Sequence, residues 1–220
     1  VSAAASNQSD WHNRLRGQFI VFDGPDGSGK STQFHRFSDF AQARGLTVCE
    51  VREPGGTLVG EEIRNVLLDH RHVDLDVRAE MLLYMASRAQ LVAERIGPAL
   101  QRGEVVLADR FVSSTLAYQG TAGGMPLDDI RTVARIACGQ IAPHLMIIFD
   151  VTPETAASRL NPLLDRMEAK GKAYHARVRE GYLSQARENP ERYMVIDANS
   201  DAGAVWSALQ SAMAIHYTPA

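Results

Sequence analysis

A chain of 220 residues with 45% apolar and 22% charged side chains is long enough for one α/β domain with a full core and too short for two ordinary domains. A formal net charge of −3 excludes a global basic footprint for nucleic acid, and no apolar run reaches membrane-spanning length. The two cysteines, Cys49 and Cys138, lack metal-ligand spacing and read as reduced core residues of a cytoplasmic protein.

The opening residues, 1–18, are small and polar with no apolar segment of signal-peptide length, so a flexible N-terminal extension is expected. A single domain is then expected over 19–217. The apolar run Phe19-Ile20-Val21-Phe22 reads as a strand, and it leads into Gly24-Pro25-Asp26-Gly27-Ser28-Gly29-Lys30-Ser31-Thr32. This is the phosphate-loop pattern: Gly, four residues, Gly, Lys, then Ser or Thr, between a strand and a helix. Gly24, Gly27 and Gly29 let the backbone curl around an anion, while successive N–H groups and the helix N-terminus point positive dipoles at it. Lys30 is placed to meet the β- and γ-phosphates of a nucleoside triphosphate, and Ser31 to help hold Mg²⁺.

Phe34, Phe37, Phe40 and Ala41 then recur at helical spacing up to Gly45, a natural C-cap. A second strand over 46–51 delivers Arg52-Glu53-Pro54-Gly55-Gly56-Thr57 to its C-terminal end, where open parallel sheets bind ligands; the same residues would also make an ordinary turn. A short helix over 61–68 carries Arg64, and a longer one over 77–101 carries Tyr84 and Arg88 at i and i+4 on one side. Arg88 suits either a surface ion pair or a base and phosphate. A third strand, 105–108, runs into Asp109-Arg110-Phe111: an acid placed for Mg²⁺ and a guanidinium placed for a phosphate, or else an N-cap with a solvent ion pair. Thr115 and Gln119 follow at i, i+4 with Tyr118 beside them. A helix over 127–138, a strand over 145–149, helices over 153–159 and 169–188, a strand over 194–196 and a closing helix over 202–215 complete the pattern. Continuous apolar strands alternating with helices predict a three-layer α/β/α fold around a five-stranded parallel sheet of the P-loop NTPase type.

Taken together, the phosphate loop with Asp26 inside it, Arg52-Glu53-Pro54-Gly55-Gly56-Thr57, Ser87-Arg88-Ala89-Gln90, Asp109-Arg110-Phe111 running into Ala117-Tyr118-Gln119-Gly120, Asp165-Arg166-Met167-Glu168 and Ile196-Asp197-Ala198 closely resemble the thymidylate kinase family, whose members phosphorylate dTMP with ATP. The resemblance spans residues 19–215. It implies that Asp26 approaches the sugar 3′-hydroxyl of dTMP, that Arg64 and Arg110, with Arg52 as a helper, contact its 5′-phosphate, that Glu53 also belongs to the dTMP site, and that Tyr84 stacks on thymine. It further implies that Arg88, Thr115 and Gln119 hydrogen-bond the base, that Tyr118 packs under the sugar, that Asp109 serves Mg²⁺, and that Arg166 belongs to a lid over the transferred phosphoryl group, about residues 159–168. Lys30, Asp109, Arg110 and Arg166 are thus the expected catalytic residues. The expected partners are ATP and dTMP, with a second copy in a homodimer and neither nucleic acid nor membrane. Two positions depart from the family pattern: Phe111 stands where a Tyr is common and Ser87 where an Asp is common, and each is expected to remove a polar partner from the site. The segment from Arg159 to Asp165 is short and carries no basic residue between its ends, which leaves Lys30, Arg159 and Arg166 to supply most of the positive charge.

Overall fold

A computed structural model describes residues 11–159, 166–167 and 170–218. Five parallel strands form one sheet in the order β2-β3-β1-β4-β5: β1 Phe19–Asp23, β2 Val48–Arg52, β3 Val105–Asp109, β4 Leu145–Asp150 and β5 Tyr193–Asp197. The central strands β1, β3 and β4 are the uninterrupted apolar runs of the sequence and are buried along nearly their whole length, whereas the edge strands alternate, with Glu50 and Val195 turned to solvent. The expected α/β architecture and parallel sheet are present.

Helices cover both faces. On one, α1 (Lys30–Gln42) and α9 (Ala202–Tyr217) enclose Phe22, Phe34, Phe37, Phe149 and Leu209; on the other, α3 (Val77–Leu91) and α4 (Gly97–Gln101) bury Phe19, Val106, Ile96 and Phe111. The helix expected over 77–101 is present but widens into a π turn at Val92–Ile96, just before Pro98, which has no N–H to continue the ladder. The other α-helices among the described residues are α2 (Leu58–Leu68), α5 (Val112–Thr115) with a π segment Leu116–Ala122, α6 (Leu127–Cys138), α7 (Pro153–Arg159) and α8 (Lys172–Glu188).

The flexible extension expected through Gln18 does not hold from Trp11 onward. Trp11–Leu15 forms a 3-10 turn whose Leu15 is fully buried and whose Trp11 ring stacks on Phe40 and Tyr217 with centroids 5.4 and 6.4 Å away. A Trp and a Leu carry enough apolar surface to anchor a turn that looks polar on average. Cys49 and Cys138 are buried free thiols, and none of the described helices is long and apolar enough to cross a membrane.

Candidate active site

The phosphate loop leaves β1 at Asp23 and ends at Lys30, the first residue of α1. Its glycines are required by the protein itself as much as by any anion. A Cβ on Gly24 would sit 2.6 Å from the Phe149 carbonyl oxygen, and one on Gly27 would sit 2.5 Å from that of Ala156. Both also have positive φ, as does Gly29 at the N-cap of α1. Residues 25–32 line the resulting hollow. Lys30 Nζ lies 3.1 Å from Asp109 Oδ1 at the end of β3, and Ser31 Oγ donates to Asp109 Oδ2 at 3.3 Å. Burial disfavours the charged Asp109, but Lys30 and Arg110 outweigh it and hold its carboxyl below the usual value.

Beside the hollow is a cleft lined by charged, polar and aromatic side chains. Asp26, Glu53, Arg64, Tyr84, Arg88, Arg110, Thr115, Tyr118 and Gln119 line it, together with Pro54, Leu68, Ser114 and Met167. Every residue expected to meet the monophosphate substrate is therefore on this cleft, except Arg52. The Arg52 guanidinium instead accompanies Glu61, donating to its carboxylate oxygens at 2.9 and 3.1 Å on an exposed surface. Arg64 donates to the Pro54 carbonyl at 2.9 Å, across a Glu53-Pro54 bond that is cis.

Arg110 joins the two hollows. Its φ is +72°, its amide bonds the Phe22 carbonyl, and its guanidinium pairs with Asp26 while donating to Gly24 O, Ser114 Oγ and Tyr182 OH at 3.1–3.2 Å. Asp26 also accepts from Tyr118 OH at 2.6 Å. Burial acts against its ionisation, and Arg110, Lys30 and the Tyr118 hydroxyl outweigh it, so its carboxyl too lies below the usual value. Behind this pair Asp23, fully buried, accepts from Ser113, Ser114 and Tyr182 at 2.6–2.8 Å.

Arg88 is not a surface residue: it is 1% exposed. Its guanidinium forms a two-pronged pair with Glu53 and donates to Thr115 Oγ1 at 3.2 Å. Burial pushes the Glu53 carboxyl up to about 7, with Arg88 pulling the other way. Phe111, expected as a lost polar contact, is a core residue that stacks edge-on against Phe19 and lies under the Arg88 guanidinium. Ser87 Oγ accepts from the Gly55 amide at 3.1 Å and pins the loop after β2.

Arg166 is not over the phosphate loop. It is buried, donating to Leu67 O at 2.7 Å and to Glu80 Oε2 at 2.6 Å, because a fully buried carboxylate on α3 is a stronger partner than open space. Arg159 sits beside Gly29, but its guanidinium is engaged by the carbonyls of Ala198, Asn199 and Ser200. The rest of the expected lid, 160–165 and 168, lies outside the described residues.

The sequence reading missed Ser114, which lines the cleft, and Asp23, Glu80, Ser113 and Tyr182, which stand behind it. Asp23 carried the signal used for Asp109, an acid closing an apolar strand. Glu80 shares a helix face with Tyr84 and Arg88 at successive i+4 steps. Nothing in the local sequence marks Tyr182, which arrives from α8.

The sequence model of the family described as thymidylate kinase matches residues 22–208. A thymidylate kinase from Bifidobacterium longum is 44% identical over 202 residues, covering 90% of this chain and 97% of its own. One from Exiguobacterium is 44% identical over 187 residues, covering 84% and 88%. The crystal structure of thymidylate kinase from Ehrlichia chaffeensis superposes with a TM-score of 0.72 at 32% identity, covering 88% of this chain and 96% of that one.

Proposed function

Because the chain belongs to the thymidylate kinase family, we propose that it transfers the γ-phosphoryl group of ATP to the 5′-phosphate of dTMP, releasing ADP and dTDP. The observation that carries this reading is that Asp26 lines both the phosphate-loop hollow and the neighbouring cleft, so donor and acceptor sites meet at one residue, with Arg110 paired to it. Phosphoryl transfer through a loose, in-line transition state requires positioning and charge neutralisation rather than a covalent intermediate. The loop amides and Lys30 hold the triphosphate, and Arg110 with Arg64 faces the acceptor phosphate. Arg64 and Arg110, two of the three arginines lining the cleft, favour an acceptor that already bears a phosphate over a free nucleoside. Tyr84 offers a ring to thymine, while Arg88, Thr115 and Gln119 offer polar groups to its edge. Tyr118, tied to Asp26, packs under the sugar.

Ser31 Oγ and the Asp109 carboxylate form an all-oxygen donor set beside the phosphate loop, which fits Mg²⁺ completed by water and substrate oxygens. Bound there, Mg²⁺ would neutralise charge on the phosphate oxygens.

We also place the protein in the cytoplasm as a homodimer. The buried free thiols suit a reducing compartment. Leu82 on α3 and Ile136 on α6, 54% and 79% exposed on helices that pack together, supply an apolar face for a second copy. Leu82→Glu combined with Ile136→Glu should turn a dimer into a monomer in light scattering; a monomeric wild type would remove that part of the reading. The activity is tested by incubating protein with Mg-ATP and dTMP and following dTDP by chromatography, and absence of dTDP would refute it.

A further inference from the structure

Glu80 lies behind the cleft, not on it. It is fully buried on α3, and its two carboxylate oxygens face different groups. Oε1 accepts from Gln119 Nε2 at 2.7 Å, Oε2 accepts from Arg166 at 2.6 Å, and Lys170 Nζ stands 3.5 and 3.4 Å from the two oxygens. A carboxylate facing a guanidinium and an ammonium accepts hydrogen bonds and donates none. Gln119 must therefore turn its NH₂ towards Glu80, which leaves its carbonyl Oε1 as the other end of the amide. Gln119 is buried yet lines the cleft.

We infer that Glu80 is a positioning residue for base selectivity: by fixing the sense of the Gln119 amide, it presents an acceptor to the nucleobase. This rests on the dTMP kinase reading. An outward carbonyl matches the N3–H of thymine or uracil and opposes the N3 lone pair of cytosine, and two acceptors brought together in a desolvated cleft leave both unsatisfied. Arg166 and Lys170 balance the charge that this device buries.

The test is Glu80→Gln, which keeps the shape of the side chain but offers Gln119 either a donor or an acceptor, so the amide is free to turn. KM for dTMP is compared with the inhibition constants of dUMP and dCMP, in wild type and variant. The expected pattern is a raised dTMP KM with kcat and the ATP KM little changed, a parallel rise for dUMP, and no rise for dCMP, so that the dCMP-to-dTMP ratio falls about 10-fold or more. The dUMP-to-dTMP ratio stays constant because these bases share N3–H and differ only by a methyl group. A pocket that had merely loosened would move both ratios. If Glu80→Gln does not fold, Glu80→Asp retains the charge for Arg166 and Lys170 while withdrawing it from Gln119, and the same ratios decide. A folded variant with an unchanged dCMP-to-dTMP ratio overturns the role of Glu80. A wild-type protein that makes no dTDP overturns the functional reading beneath it.

Discussion

The guanidinium of Arg110 is held against the carboxylate of Asp26 at the seam between the phosphate loop and the cleft. Arg110 reaches this position from a left-handed backbone conformation, φ +72°, which a non-glycine residue adopts at a cost. The surrounding bonds to Gly24, Ser114 and Tyr182 hold it there.

Arg110→Ala should lower kcat/KM for dTMP by about 10²–10³, the scale of losing one preorganised charge-stabilising donor. Arg52→Ala should cost less than about 10-fold, since a guanidinium already engaged by an exposed carboxylate contributes little to a neighbouring site. Equal losses in steady-state kinetics would contradict the geometry.

At the donor side, Lys30→Met should abolish most turnover, by about 10² or more, while leaving dTMP binding nearly intact, because Lys30 faces Asp109 and the loop rather than the cleft. Calorimetric titration with dTMP alone checks the second half. Loss of dTMP affinity would show that the two hollows are not separable.

Arg88→Met should destabilise the fold by about 3–5 kcal/mol, because it leaves the buried Glu53 carboxyl, which burial already raises to about 7, without its guanidinium partner. Adding Glu53→Gln should recover part of that loss, since no ionisable group is then left buried and unpaired. Urea midpoints of the two single variants and the double variant close the cycle, and simple additivity would refute the coupling.

The acid limb of stability has a defined sign. The folded-state values of Asp26 and Asp109 both lie below 3.8, so their contribution is fully present above that pH and is lost as pH falls through the depressed values. The stability deficit of Asp26→Asn relative to wild type should therefore be constant near neutrality and shrink below about pH 4. A deficit that grew on acidification would reverse the assignment.

Much of this was legible before any coordinates. The central strands announce themselves because Phe19–Phe22, Val105–Ala108 and Leu145–Phe149 are buried on both faces and tolerate no polar residue. The phosphate loop is legible because its glycines answer to backbone approach, as the Phe149 and Ala156 carbonyls show. Partnerships across long sequence separations were not legible. Glu53 with Arg88, Asp23 with Tyr182, and Glu80 with Gln119 and Arg166 depend on how helices stack, and spacing within one helix does not reveal that. The anchoring of Trp11 escaped for a related reason: a polar average conceals two large apolar side chains whose partners, Phe40 and Tyr217, lie far along the chain.

The central claim is tested most directly by competition. Limiting enzyme, Mg-ATP and an equimolar mixture of dTMP, dUMP, dCMP, dGMP, AMP and thymidine are allowed to react, and the products are resolved by chromatography. The account predicts that dTDP dominates, with dUDP a minor product because one methyl group discriminates by about 1–3 kcal/mol, and that thymidine is untouched. Dominance of another diphosphate, phosphorylation of thymidine, or ATP bound without any product would contradict it.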